Sequence, residues 1–131
     1  MERNDQKKKA TFCILIVDDD IFCRTALSLL FEKDGFSVST ASSGEEALVM
    51  IMKAENKYDL VFVDLEMPGM SGFKLVKKLK KDHVNVPVFV VSGYQDKMMI
   101  IEMLNRDCNK VFVDMANKQG EYACERRTDE N

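Results

Sequence analysis

The fold is decided by the stretch FCILIVDDD at residues 12–20, an apolar run that ends in three aspartates. The run at 12–17 is too short for a buried helix and rich in β-branched residues, which is typical of a strand covered on both faces. Runs of the same character follow at 60–63, 86–91 and 111–113. Their repetition predicts a parallel sheet with helices on both sides.

Segments with a helical spacing of apolar residues separate these runs. We predict helices at 20–33, 43–55, 73–82 and 96–107, while an alternating apolar–polar pattern at 36–41 predicts an edge strand. Strands and helices that alternate in this way predict right-handed crossovers and an α/β, doubly wound domain with five parallel strands. We expect the strand order 2-1-3-4-5.

Residues with known capping preferences stand at the ends of the first two helices. Asp20 suits the N-cap of the first helix, and Gly35 offers the left-handed conformation that ends it. Ser43 and Glu46 have the spacing of a capping box. In the first helix the apolar positions with helical spacing are Phe22, Ala26, Leu29 and Leu30.

The composition suits one globular domain, since the chain has 131 residues, 46% of them hydrophobic and 31% charged. We expect a charged tail at 1–11, the domain at 12–116 and a weakly helical or frayed tail at 117–131. A net charge of −3 argues against nucleic-acid binding, and no apolar run approaches the ~20 residues that span a bilayer. Four cysteines without a CxxC pair indicate a reducing compartment, so we expect a cytoplasmic protein, or a nuclear one in a eukaryote.

Carboxylates stand where an open α/β sheet binds its ligands, beyond the carboxyl ends of the strands at the point where strand order reverses. The first and third predicted strands are neighbours there, and they lead into Asp18-Asp19 and Asp64. No glycine-rich phosphate loop follows the first strand, which argues against a nucleotide site. Carboxylate oxygens are ligands that Mg²⁺ prefers, and a cation would offset the repulsion among three negative charges.

Three motifs resemble the receiver domain of two-component response regulators: ILIVDDD at 14–20, DLEMPGMSGF at 64–73 and VVSG at 90–93. The resemblance covers residues 12–116 and includes features similar to plant-type receivers. It implies a flavodoxin-like fold and a signalling phosphoacceptor rather than an enzyme. The partner it implies is a histidine-containing phosphotransfer protein or a histidine kinase.

The resemblance also implies a role for each matching residue. Asp64 would be the phosphoacceptor, and the hydroxyl of Ser92 would hydrogen-bond the phosphoryl group. Asp18, Asp19, Asp64 and the backbone carbonyl of Glu66 would hold Mg²⁺, which neutralises charge during the transfer.

The sequence departs from the family pattern near the fifth predicted strand. Asp114 stands where the family has a lysine that pairs with the phosphoryl group, and Val111 stands where it has an aromatic switch residue. The fifth helix looks degraded, because few apolar residues follow residue 116. The residues that would accept the phosphoryl group are all present. The residues that would convert phosphorylation into a conformational change are the ones that depart from the family pattern.

Two functions therefore stay open. The first is a stand-alone receiver in a phosphorelay, which accepts a phosphoryl group on Asp64. The second is a pseudo-receiver that docks partners without phosphorylation-driven switching, because Asp114 replaces the family lysine. A phosphatase with an aspartyl-phosphate intermediate is disfavoured: Glu66 has the spacing of its general acid, but the paired aspartates of the first strand belong to the receiver arrangement.

Overall fold

The computed structural model describes residues 11–54, 57–82, 84–91, 94–105 and 121–124. Strands and helices alternate along the chain. The elements are β1 (Cys13–Val17), α1 (Ile21–Lys33), β2 (Ser37–Ala41), α2 (Gly44–Ala54), β3 (Leu60–Asp64), α3 (Gly72–Lys81), β4 (Val88–Val91), α4 (Tyr94–Asn105) and β5 (Glu121–Cys124). Apart from β5, the ends of each element lie within two residues of the positions predicted from the sequence.

The sheet has the strand order β2-β1-β3-β4-β5, and all four pairings are parallel. The predicted fold class, a flavodoxin-like doubly wound α/β domain, is confirmed. Parallel pairing places the carboxyl ends of β1 and β3 side by side at one edge, with Val17 opposite Val63. Among the described residues, every helix is too short or too polar to span a bilayer.

Alternate residues of the central strands face opposite sides of the sheet. On one side Ile14 and Phe62 pack with Phe31 of α1 and Phe89 of β4, whereas on the other side Leu15 packs with residues of α2 and α3. The ring of Phe62 stacks on Phe89 at 5.5 Å and meets Phe31 edge-on at 6.5 Å. Each fully buried ring contributes up to about 3 kcal/mol. Cores on both faces therefore hold the central strands, and with them the edge where the aspartates lie.

The first helix buries a different stripe from the expected one. Its buried residues are Cys23, Leu27 and Phe31, whereas Phe22 and Leu29 are 59% and 62% exposed. Both stripes have helical spacing and are offset by about 100° or less around the helix, so spacing alone does not choose between them. The contact of Phe31 with the aromatic rings on the sheet decides which side faces inward.

The predicted helix caps are confirmed. Asp20 Oδ1 accepts the amide of Phe22 at 2.9 Å, and Gly35, which follows the C-cap residue Asp34, has a φ of 92°. At the start of α2, Ser43 Oγ accepts the amide of Glu46 at 3.1 Å. The Glu46 carboxylate in turn accepts the amide of the residue before Ser43 at 2.8 Å, one position earlier than in a standard capping box. Both ends of α1 and the start of α2 can be predicted from the sequence, because each depends only on contacts between neighbouring residues.

The fifth strand corrects the sequence-based prediction. The strand that pairs with β4 is β5, with Val88 opposite Glu121 and Val91 opposite Cys124. The expected strand at 111–113 lies outside the described residues, and the tail expected to be weakly helical or frayed contains this strand. Ladder hydrogen bonds use backbone groups that nearly all residues share, so a short apolar run does not by itself determine which segment reaches the edge of β4.

Candidate functional site

Three aspartates meet at the carboxyl edge of the sheet. Asp18 directly follows β1, Asp64 ends β3, and the two strands are adjacent. One carboxylate oxygen from each of Asp18, Asp19 and Asp64 lies within 4.8 Å of the other two. Asp18 and Asp64 are 0% and 1% exposed, whereas Asp19 faces solvent. The structure thus brings together the three carboxylates that the sequence placed at neighbouring strand ends.

Asp18 is held through both its backbone and its side chain. Its amide donates to the carbonyl of Ala41 at 3.1 Å, and the guanidinium of Arg24 donates to its carbonyl at 2.8 Å. Its Oδ1 accepts the amide of Asp20 at 2.9 Å. Its Oδ2 is buried and accepts no hydrogen bond from the residues that the structure describes. Buried polar atoms normally have a partner, so this oxygen is available for a ligand.

Asp64 is positioned by the loop that follows β3. The amide of Glu66 donates to Asp64 Oδ1 at 2.9 Å, which fixes the rotation of the carboxylate. The amide of Leu65 donates to the carbonyl of Val91 at 2.8 Å and so ties the loop to β4. Gly72, the first residue of α3, passes so close that a Cβ there would overlap the carbonyl oxygen of Asp64.

A lysine that the sequence analysis did not single out closes the pocket. Lys97 Nζ donates a hydrogen bond to Asp18 Oδ1 at 3.1 Å and lies 2.9 Å from Asp64 Oδ2. The second contact is an ion pair. Lys97 is 6% exposed, and lysine is rarely buried unless it is paired with a charged group.

The sequence carries a signal for the burial of Lys97 but none for its partners. Lys97 precedes the buried Ile100 by three residues and the half-buried Ile101 by four, so it stands at the head of the inward stripe of α4. A lysine at such a position indicates a side chain whose ammonium is buried. Its partner Asp18 lies 79 residues away in the sequence, and only the tertiary structure brings the two together.

The pocket holds more negative than positive charge. Burial raises the pKa of Asp18, and the amide of Asp20 and the ammonium of Lys97 offset this effect only in part. Burial alone would lower the pKa of Lys97, but its contacts with Asp64 and Asp18 outweigh burial and raise that pKa above its usual value. Lys97 is therefore charged at neutral pH, and its ammonium contacts the carboxylates of Asp18 and Asp64, with the carboxylate of Asp19 close to both. A further cation would reduce their repulsion.

The donor set fits a hard divalent cation. Mg²⁺ binds oxygen ligands and keeps several of its waters, so it needs few protein groups. Asp18, Asp19 and Asp64 offer only carboxylate oxygens, one of them the buried Oδ2 of Asp18 without a hydrogen bond. The exposed Asp19 leaves one side of the pocket open to water. These three residues could hold the ion.

Several residues expected at the site are not described by the structure. Ser92, Val111 and Asp114 lie outside the described residues. The backbone carbonyl of Glu66 stays a prediction as a metal ligand, because what the structure shows for this residue is the hydrogen bond from its amide to Asp64.

Comparison with known proteins places this arrangement in a family. Residues 14–118 match the response regulator receiver domain. The chain is 36% identical to sporulation initiation phosphotransferase F of Bacillus subtilis over 89 residues, which are 68% of this chain and 70% of that protein. It is 33% identical to two-component response regulator ARR10 of Arabidopsis thaliana over 89 residues, which are 68% of this chain and 16% of that protein.

A solved structure has the same architecture. Response regulator protein TrrA from Thermotoga maritima, crystallised in complex with Mg(2+)-BeF, superposes with a TM-score of 0.61 at 26% identity. The match covers 90% of each chain. Sequence motifs, strand order, the carboxylate cluster and these similarities agree, and the chain belongs to the receiver domain family of response regulators.

Proposed function

We propose that this receiver domain accepts a phosphoryl group on Asp64 from a phosphohistidine donor in a process assisted by Mg²⁺. The observation that carries the proposal is the buried carboxylate of Asp64 at the sheet edge, with oxygens of Asp18 and Asp19 within 4.8 Å. Receiver domains act as signalling phosphoacceptors in two-component systems, where their partners are histidine kinases or phosphotransfer proteins. The donor proposed here is of that class.

The transfer forms one bond and breaks one. A carboxylate oxygen of Asp64 attacks phosphorus, the P–N bond of the phosphohistidine breaks, and the imidazole nitrogen keeps the electron pair. The amide of Glu66 holds Asp64 Oδ1, which orients the carboxylate for attack. Mg²⁺, when bound by Asp18, Asp19 and Asp64, supplies the positive charge that allows two anions to approach.

Two further residues complete the proposed site on the basis of family resemblance. The hydroxyl of Ser92 would hydrogen-bond one phosphoryl oxygen. The backbone carbonyl of Glu66 would serve as an additional ligand of the cation.

The test is intact mass measurement after incubation with phosphoramidate and Mg²⁺, because this small molecule carries a P–N bond like that of phosphohistidine. We expect the mass of one phosphoryl group to be gained by the wild type and by Asp20→Asn, and not by Asp64→Asn. Hydroxylamine should remove the group, since it cleaves acyl phosphates. A modified Asp64→Asn protein would refute Asp64 as the acceptor.

A pseudo-receiver that docks partners without switching is the second candidate. The feature that favours it is Asp114, which the resemblance places at the family's lysine position when residues 111–113 are taken as the fifth strand. In the structure the strand that pairs with β4 is Glu121–Cys124, so this placement of Asp114 stays a prediction. The two functions differ in the read-out: when a phosphoryl mimic is added with Mg²⁺, a receiver should show amide shifts around residues 92–114, whereas a pseudo-receiver should not. Binding of a histidine-containing phosphotransfer protein by a chain that shows no such shifts would then support docking.

A further inference from the structure

The ammonium of Lys97 occupies the side of the pocket where two buried carboxylates face each other. It lies 3.1 Å from Asp18 Oδ1 and 2.9 Å from Asp64 Oδ2, and its side chain is 8% exposed. No other cationic side chain among the described residues contacts both aspartates. Among the described residues, Lys97 is thus the counter-ion that compensates both Asp18 and Asp64.

The carboxylates that Lys97 engages are also those available to a divalent cation. Asp18, Asp19 and Asp64 are the acidic group whose oxygens lie within 4.8 Å of one another, and Lys97 contacts the two buried members. An ammonium and a divalent cation that share these ligands would stand a few ångströms apart, and like charges at such a distance in a partly buried pocket repel each other strongly.

From this geometry we infer that Lys97 is a resident counter-ion that must leave Asp18 and Asp64 when a divalent cation binds. Metal loading is then an exchange of one cation for another rather than the filling of a free site. Lys97 consequently lowers the affinity of the pocket for Mg²⁺ and sets the concentration at which the site becomes occupied. The inference rests on the proposed function for the identity of the cation.

The position of Lys97 on α4 gives the exchange a structural consequence. Ile100, one turn further along α4, is buried in the same core cluster as Phe31 and Phe62, so the helix is anchored just beyond the lysine. Release of the ammonium therefore frees the Lys97 side chain in the first turn of α4, while the next turn stays packed. The opposing possibility is a permanent structural ion pair, in which Lys97 stays on its carboxylates with the metal bound.

The first test measures Mg²⁺ binding by calorimetry for the wild type, Lys97→Met and Lys33→Met. Lys33→Met removes the same charge from the last residue of α1, about 18 Å along the helix from the end that lies near the pocket. We expect Lys97→Met to bind Mg²⁺ on the order of tenfold more tightly than the wild type, because the competing ammonium is gone. Lys33→Met should bind like the wild type.

The second test uses the wild-type chain, so it does not depend on whether Lys97→Met folds. Lysines are acetylated briefly with acetic anhydride and quantified by peptide mass spectrometry, with and without saturating Mg²⁺. We expect Lys97 to react slowly without Mg²⁺ and at least about fivefold faster with it, as the released population grows. The exposed Lys33 should react equally under both conditions.

The outcomes separate this inference from the proposed function. Lys97 that stays protected at saturating Mg²⁺, or Mg²⁺ affinities that are equal in the wild type and a folded Lys97→Met, would overturn the exchange. Absence of Mg²⁺ binding in both proteins would overturn it too. The proposed function is judged separately, by whether Asp64 gains a phosphoryl group.

Discussion

The three aspartates of the pocket have the same chemistry but different surroundings. Asp18 and Asp64 are buried, each with one oxygen held by the amide two residues ahead, at 2.9 Å in both cases. Asp19 lies between Asp18 and the N-cap Asp20 and is exposed. A buried carboxylate contributes to the fold as well as to binding, whereas an exposed one can be changed with little effect on stability.

Asp19→Asn is therefore the cleanest change for the metal site. The substitution keeps the shape of the side chain and removes a charged oxygen ligand, so we expect Mg²⁺ affinity to fall by on the order of tenfold or more. The free energy of unfolding without Mg²⁺ should change by less than about 0.5 kcal/mol, because the residue is exposed. Titration calorimetry and urea denaturation measure the two effects.

Glu32→Gln is the matched control for this change, since it removes one exposed negative charge near the far end of α1. It should leave Mg²⁺ binding unaltered. An Asp19→Asn protein that bound Mg²⁺ like the control would remove Asp19 from the ligand set.

At the scale of elements, the contact between α3 and β3 supports the acceptor directly. Gly72 begins α3, and a Cβ built on it would stand 2.6 Å from Val63 Cγ1 and overlap the carbonyl oxygen of Asp64. Both neighbours belong to the central strand β3, which cannot shift without disturbing the sheet. The absence of a side chain at Gly72 thus allows the helix to begin against the acceptor strand.

We expect Gly72→Ala to lower the free energy of unfolding by about 1–3 kcal/mol, because the added methyl group overpacks a rigid contact. Mg²⁺ affinity should fall as well, since β3 carries Asp64. Urea denaturation and calorimetry test the two effects.

Gly35→Ala offers the matched comparison. A Cβ at Gly35 would meet no atom within 4 Å, but the φ of 92° disfavours any side chain, so stability should fall by about 1 kcal/mol with unchanged Mg²⁺ affinity. Equal effects of both substitutions on Mg²⁺ binding would show that Gly72 has no special relation to Asp64.

At the scale of the whole molecule, the sheet ends in two different edge strands. β2 follows directly from the apolar–polar alternation at 36–41 and pairs with β1 along its length. β5 at Glu121–Cys124 pairs with β4, although the sequence analysis predicted a strand at the apolar run 111–113 instead. The structure thus gives this edge to a segment that the sequence pattern did not favour.

Amide hydrogen exchange tests the pairing of β5 with β4. If β5 pairs with β4 as in the structure, the amides of residues 121–124 that point toward β4 should exchange slowly, because their opening requires loss of the ladder. Residues 111–113 provide the internal comparison. Slow exchange at 111–113 together with fast exchange at 121–124 would assign the edge to the earlier segment.

The sequence by itself determined most of the sheet, the helix ends and the position of the carboxylates. Apolar runs such as 12–17 and 60–63 form central strands because burial on both faces leaves them no other stable arrangement. The caps at Asp20 and Gly35 depend on hydrogen bonds and dihedral angles within a few residues. Strand order then places Asp18 and Asp64 at one edge, so the acidic cluster also follows from local patterns and general rules of topology.

Only the tertiary structure decided which face α1 buries, which segment pairs with β4 and what compensates the buried carboxylates. Two stripes of α1 have helical spacing, and the ring of Phe31 selects one by its contact with Phe62. The partner of Asp18 is Lys97, which is 79 residues away in the sequence. The apolar spacing of α4 predicts that Lys97 lies on its buried side but does not predict which residue it contacts. Contacts of this kind join distant segments whose approach depends on the packing of all the elements between them, and local periodicity contains no information about that packing.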